Sequence, residues 1–511
     1  MKNKIVNFIK NNGIFIVFCI CFIILNLYYL NKTVTNANKE TKIIISSVFI
    51  IIEIVFLILL KTKFKSAKIE KIFLLIAVPI GLLYLVIFPI GQIPDENTHY
   101  LRSYAISEGY IVSDVNDKGV GSAYLPDNVL NNFYGGEKNH SYSEVAKNIF
   151  EKSDNLEKKK YYFSNTSLYN FIIYVPQTTG ILMGKILHLP PLMIAYLARL
   201  FNFATYILLL YFAIKLIPFL KKYVMLVALL PISLQEGVSL SPDALAISLS
   251  LLFVSLILYY RYEYKEKISN KKYTLLLTLS TILSLCKIVY IPILLLLLLI
   301  PQERFKSKKD KYIKVFLLIM ICVIINGAWT IFATRYLNES NPGVNSSDQV
   351  KYILTSPFNY IGVMLKTTKE HYTEFLHQVF GKDLGALNIS TYKLYPIISG
   401  SILLVLSFIC SIKNKIKNNK ERIIYLFIPI TIILLIFTSL YVQWTPLKND
   451  VIIGIQGRYF IPILIFVPLI FIGLFKKKNI KFDESKINPY IFGFIIFQLI
   501  NAITMVLLYN I

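Results

Sequence analysis

Apolar runs long enough to cross a bilayer recur down the whole chain, and no other feature constrains its fold as strongly. They lie at about 14–30, 43–60, 72–90, 191–215, 222–240, 242–260, 313–335, 394–411, 423–441, 459–475 and 488–508. A hydrocarbon core roughly 30 Å thick takes about 20 apolar residues of helix to span. Backbone in lipid must satisfy its own hydrogen bonds, so helices are the expected form. Only 16% of the 511 residues are charged, against about 25% in soluble domains. An isolated soluble enzyme and a disordered chain are excluded, and an all-α integral membrane protein is expected.

The net charge of +25 raises the question of nucleic acid or an acidic surface. Its distribution answers it. Two segments leave the topology open: 166–187, interrupted by Pro176, Gln177 and two glycines, and 273–300, which is one long span or a hairpin turning at Cys286–Lys287. If 166–187 stays on one side and 273–300 folds back, eight Lys and Arg in the short loops 215–222 and 261–272 fall on the cytoplasmic side, as the positive-inside tendency requires. The chain then crosses thirteen times, and its inner segments hold 32 Lys and Arg against eight Asp and Glu. The charge is topological, and no nucleic-acid partner is indicated. The N-terminus, with Lys2, Lys4 and Lys10 before an apolar stretch, reads as an uncleaved first span beginning in the cytoplasm. The five cysteines all fall in or at apolar spans, where packing is the expected role.

This topology divides the chain into two N-terminal helices (1–71), a membrane module with a large outer loop (72–335, loop 91–190), a second outer loop (336–393) and four C-terminal spans (394–511). All five histidines lie in the two outer loops, which places any chemistry on the extracytoplasmic side. There is no phosphate loop of the G-x-x-x-x-G-K-[ST] kind and no clear internal repeat of the sort transporters carry.

The first candidate motif follows the third span. Pro94 suits a first helical turn and Gly109 a helix end, so Asp95, His99 and Arg102 share one polar stripe. Leu101, Tyr104 and Ala105 give the helix an apolar side that would lie along the membrane surface. Asp95 and Glu96 with His99 suit general-base work or a divalent cation such as Mg or Mn. The two acids equally suit a plain helix N-terminus. Ser241-Pro242-Asp243 opens another span and also reads as ordinary helix-start chemistry. Glu236 sits one loop earlier, where it would add acid near Asp95. Lys287 stands at the tip of arms of about 13 residues, some 20 Å of helix, so it lies below the outer surface. A lone ammonium there pairs with Asp243, Glu236 or a lipid phosphate. Gln456-Gly457-Arg458-Tyr459 enters a span from the same side. Arg458 suits a phosphate or an interfacial anchor, and Arg199 carries the same ambiguity. Glu53 is a lone acid in the second span. The second loop reads as helical from about 348 to 379, with breaks at Gly381 and Gly385.

Taken together, Pro94-Asp95-Glu96-Asn97-Thr98-His99, Ser241-Pro242-Asp243-Ala244-Leu245, Cys286-Lys287-Ile288-Val289-Tyr290-Ile291-Pro292, Phe380-Gly381 to Gly385 and Gln456-Gly457-Arg458-Tyr459-Phe460 recur in one order. Over about residues 72–508 the chain resembles the bacterial membrane family known as domain of unknown function 2142, which is similar to the GT-C membrane glycosyltransferases. Two extra spans precede its acidic motif, and Ala386 follows Gly385 where the family usually has tryptophan.

The resemblance implies an enzyme of the bacterial plasma membrane. It would move a sugar from a polyprenyl-phosphate carrier to a cell-envelope glycan or lipid, with catalysis at Asp95 and Glu96. His99, Arg102, Asp243, Lys287, Tyr290, Gln456, Arg458 and Tyr459 are the expected substrate-binding residues, and membrane lipids the expected surroundings. A lipid-linked glycan polymerase or ligase, and a non-enzymatic flippase or transporter, are the rival readings.

Overall fold

The structure is a computed structural model and describes residues 2–33, 38–62, 67–116, 119–131, 133, 142–151, 157–336, 343–413, 419–472 and 487–510. Parts of three basic connections, 63–66, 414–418 and 473–486, lie outside the described residues, and some of the inner charge lies there too.

The chain opens with α1 (Lys2–Thr33), α2 (Lys39–Thr62) and α3 (Ile69–Ile87). The first loop folds into α4 (Glu96–Ser107), β1 (Asp114–Val115), β2 (Gly121–Pro126), α5 (Tyr142–Asn148), β3 (Lys158–Tyr162), α6 (Ser164–Ser167) and α7 (Val175–Ile186). Then come α8 (Pro191–Leu216), α9 (Lys221–Ala228), α10 (Pro231–Val238), α11 (Asp243–Tyr262), α12 (Asn270–Cys286), a 3₁₀ segment Ile288–Leu299 and α13 (Lys308–Ala333). The second loop holds α14 (Ser346–Thr355), α15 (Pro357–Val379) and the short strands β4 (Asp383–Leu384) and β5 (Ile389–Ser390). The chain ends with α16 (Leu394–Lys413), α17 (Asn419–Gln443), a 3₁₀ turn Gly457–Ile463, α18 (Phe466–Phe471) and α19 (Asn488–Tyr509).

Among the described residues nine helices are long and apolar enough to cross a membrane: α1, α2, α3, α8, α11, α13, α16, α17 and α19. The protein is an all-α membrane protein. Its only described sheets are β1-β2-β3 and β4-β5, both antiparallel and small. Helices α11 and α19 are buried along almost their whole length, whereas α1, α2 and α13 turn most of theirs outward. Ile24, Ile51 and Ile324 are exposed on those outer faces, as lipid contact requires.

Three of the expected spans consist of shorter pieces. Residues 222–240 break into α9 and α10 at Pro231, with Leu230 extended (ψ 141°) ahead of it. A proline has no N–H to give and forces its predecessor out of helical backbone. Residues 459–475 start as 3₁₀ around Pro462 and continue as α18. Residues 273–300 form the hairpin. The Ile268 amide donates to the Arg304 carbonyl at 2.8 Å, so the two ends meet and Lys287 lies at the apex. Its arms are longer than expected, because α12 begins at Asn270 and has 17 residues, about 26 Å. The returning 3₁₀ arm has 12 residues, about 24 Å. Helix α7 has 12 residues, about 18 Å, and is too short to cross.

Both large loops sit at one end of the bundle. Tyr336 donates through its hydroxyl to the Ser113 carbonyl at 2.8 Å, and Trp329 to the Leu168 carbonyl at 2.9 Å. The second loop is helical as expected, with one break at Ser356–Pro357, and both Gly381 and Gly385 have positive φ. Helix α4 departs from expectation. It does not lie along a surface: His99 to Ala105 are buried on every side, because β2, α6 and α7 pack over it. Gly180 makes the approach of α7 to α8 possible, since a Cβ there would meet the Ala198 Cα at 2.7 Å.

Candidate active site at the loop-bearing end

The site begins with a residue in left-handed backbone. Asp95 has φ 62° and ψ 8°, a conformation that costs most residues energy and that Asp tolerates better than most. Its side chain gives no helix cap. It turns outward instead, 57% exposed, and its Oδ2 accepts from Arg458 Nη2 at 2.8 Å.

Arg458 is the hub. Besides Asp95, it places Nη1 at 3.3 and 3.4 Å from the two Glu236 oxygens, and Nε 3.5 Å from Asp243 Oδ2. Asp243 in turn pairs with the Lys287 ammonium, which lies 4.8 Å from the centroid of the Tyr459 ring. Tyr290 donates to the Tyr459 carbonyl at 3.0 Å. Three carboxylates and two cations thus form one chain, Asp95–Arg458–Asp243–Lys287, with Glu236 beneath Arg458. All but Asp95 are buried or nearly so, and buried charges persist only when paired in this way.

Each arm of the cluster has its own support. Gly457 donates its amide to Gln378 Oε1 at 2.8 Å, and a Cβ at Gly457 would lie 2.5 Å from the Val379 amide nitrogen. Glycine therefore lets the 3₁₀ turn press against α15 and sets where Arg458 points. The segment before Asp243 is held by Asn202, whose amide donates to the Ser239 and Ser241 carbonyls at 2.8 and 3.0 Å, and by Gln177. The turn at Gly381–Gly385 seats on α10, where the Gly385 amide donates to Gln235 Oε1 at 2.8 Å. Gln235 adjoins Glu236, so the second loop positions the acid beneath Arg458.

His99 lies beside the cluster with Nδ1 2.9 Å from the Tyr174 hydroxyl. Burial pushes its pKa down to about 4, against the pull of Asp95 and Asp243, so the imidazole is neutral at pH 7.

Two expected site residues do other work. Glu96 is fully buried, and Arg199 grips both its oxygens at 2.6 Å. The amides of Gly91 and Leu240 also donate to it, at 2.8 and 3.2 Å. Arg199 further donates to the carbonyls of Leu85, Phe88 and Pro89. This pair ties the end of α3 to α4 and α8. Arg102 donates to the Tyr110 and Ile111 carbonyls at 2.8 and 2.7 Å, closing the chain after Gly109. Gln456 precedes the turn and its buried Oε1 has no described hydrogen-bond partner. The trio Asp95, Glu96 and His99 does not fit a divalent cation: Glu96 is taken by Arg199, and His99 Nδ1 faces Tyr174. Among the described residues no group of three or more His, Cys, Asp or Glu side chains is placed to hold a metal ion.

Lys287 also lines a largely apolar groove. The groove has a volume of about 230 Å³ and runs between the 168–170 segment, the hairpin apex, α13 and α17. Tyr169, Trp329, Ile436 and Leu440 line it, together with Lys287 and Tyr459 from the charged cluster. The sequence reading did not reach Tyr169 or Trp329. The available signal was the cluster of Tyr169, Asn170 and Tyr174 in an apolar segment that does not cross.

The model of a family described as predicted membrane protein, DUF2142, matches residues 74–467. The chain belongs to that family. No curated protein and no solved structure matches it.

Proposed function

We propose that this DUF2142 chain is a glycosyltransferase whose site faces away from the cytoplasm and which takes its sugar from a polyprenyl-phosphate carrier. The observation that carries this reading is the placement of Lys287. One side of it is an apolar groove suited to a prenyl chain, and the other is the charged cluster that ends at exposed Asp95. A phosphate bound in the groove against Lys287 would lie next to the Asp243–Arg458 part of the cluster, and the sugar would project toward Asp95.

In the reaction so proposed, Asp95 takes the proton from an acceptor hydroxyl. The acceptor oxygen attacks the anomeric carbon, and the bond from that carbon to the phosphate oxygen breaks. Polyprenyl phosphate leaves with the electron pair, its charge offset by Lys287 and Arg458. Attack opposite the leaving group inverts the anomeric centre. Arg458 orients the Asp95 carboxylate through Oδ2, and the buried neutral His99 is a polar wall for the sugar. The acceptor is a cell-envelope glycan or lipid.

Transfer from synthetic polyprenyl-phosphate sugars to a panel of acceptors tests this, comparing wild type with Asp95→Asn. Product from wild type and none from Asp95→Asn is expected. Glycolipid movement across vesicles that survives Asp95→Asn, with no transfer, would make the protein a transporter instead.

A further inference from the structure

A second polar site lies among the N-terminal helices, away from the cluster at Arg458. Glu53 of α2 is 1% exposed in the middle of an apolar helix. Its Oε1 accepts from the Asn26 amide of α1 at 3.3 Å, and its Oε2 is buried without a hydrogen-bond partner. Glu53 lines a cavity of about 20 Å³ together with Asn26, Ser46, Asn501, Thr504 and apolar side chains. That exceeds the roughly 10–15 Å³ a single water-sized occupant needs. The lining contains no Lys, Arg or His.

The polar hydrogens around this cavity are largely directed elsewhere. Ser46 donates to the Lys42 carbonyl at 2.6 Å and Thr504 to the Ile500 carbonyl at 2.8 Å, each within its own helix. Asn26 gives an amide hydrogen to Glu53 and accepts from the Tyr395 hydroxyl at its Oδ1. Asn501 accepts from the Tyr392 amide at its Oδ1 at 3.4 Å, so the lining offers one carboxylate, two hydroxyl oxygens whose hydrogens are spent, and two side-chain amides. A buried carboxyl in a membrane protein is ionised only with a partner, and carboxylate, hydroxyl and amide oxygens are the donors a hard cation takes. One carboxylate balances a single positive charge, and the space admits only a small, dehydrated ion.

We propose that Asn26, Ser46, Glu53, Asn501 and Thr504 form a binding site for sodium, which clips α1 and α2 to α19. All three helices lie outside the residues 74–467 matched by the family, and the site shares no residue with the cluster at Arg458.

The test uses the full chain, purified in detergent. NaCl is titrated against potassium chloride and N-methylglucamine chloride at constant ionic strength, with the thermal unfolding midpoint and radioactive sodium binding as readouts. Sodium alone raises the midpoint, as a ligand selective for the folded state must, and about one ion binds per chain at this site. Glu53→Gln abolishes both effects. Thr504→Val raises the half-saturating sodium concentration roughly tenfold, the scale of losing one supporting group at a metal. A midpoint that responds equally to all three cations, or sodium binding that survives Glu53→Gln, overturns the proposal. Should Glu53→Gln fail to fold, an unchanged half-saturation in Thr504→Val overturns it as well.

Discussion

Arg458 donates to Asp95 at 2.8 Å from a turn 363 residues away in sequence, while the same guanidinium sits over buried Glu236 and Asp243. The two partners therefore have unequal roles. Removing Arg458 strands buried Glu236 and leaves Asp243 to Lys287 alone, a loss of about 3–5 kcal/mol for a broken buried pair. Removing the half-exposed Asp95 charge costs at most about 1 kcal/mol, as for solvent-screened pairs. Arg458→Ala is expected to lower the thermal midpoint strongly, and Asp95→Asn to leave it nearly unchanged while stopping sugar transfer. Unfolding curves of the two variants in the same detergent check this. A large drop for Asp95→Asn would make Asp95 a structural ion-pair partner.

Glu96 and Arg199 make the opposite prediction. Their pair is fully buried and every Glu96 oxygen is engaged. Glu96→Gln is expected to cost about 3–5 kcal/mol, and replacement of both partners by Leu and Met to recover much of it. Melting of the single and double variants measures the recovery. A Glu96→Gln protein as stable as wild type but inactive would return Glu96 to the chemistry.

The difference between these adjacent acids was not legible in the sequence. Asp95 and Glu96 share a motif, and only the partner 103 residues on, Arg199, separates the lock from the exposed carboxylate. The hairpin with Lys287 at its turn was legible in the Cys286–Lys287 break, and it closes at Ile268 and Arg304, although its arms are longer than the sequence suggested. The break in 222–240 had a signal in Pro231 that hydropathy averages away. Burial of α4 had none. Its outer side is covered by β2, α6 and α7, elements drawn from a loop with no strong periodicity, so tertiary packing decides an amphipathic pattern that alone points to a membrane surface. In Lys287, Arg458 and Asp243 the sequence supplied the charges, and the glycines and amides of α7, α8 and α15 supply their convergence.

His99 sets an acid limit. Its folded pKa, lowered by burial to about 4 from 6.5, lies below the unfolded value. Above about pH 6.5 the ring is neutral in both states and has no effect on stability. As the pH falls from 6.5 toward 4 the unfolded chain takes up a proton that the folded one refuses, and stability is lost. The full loss is on the order of 3 kcal/mol. His99→Gln is expected to flatten stability against pH over this window, relative to wild type. Denaturation at pH 7, 5.5 and 4.5 measures the slope, and parallel curves for the two proteins would count against a buried neutral His99.

The groove makes a prediction that separates lipid recognition from chemistry. Ser439 lines it on α17 and takes no part in the charged cluster. A tryptophan at that position would fill part of the volume a prenyl chain occupies and leave Asp95, Arg458 and Lys287 in place. Ser439→Trp is therefore expected to raise KM for a long-chain prenyl-phosphate sugar about tenfold or more, on the scale of one or two methylene groups kept in water at about 0.8 kcal/mol each. A donor with a chain too short to reach Ser439 should react as it does with wild type. Because the substitution removes binding without touching the base or the cations, kcat should change little. KM and kcat for a series of donor lengths decide the point. An equal loss for short and long donors would show that the groove supports the fold of the site and does not hold the lipid.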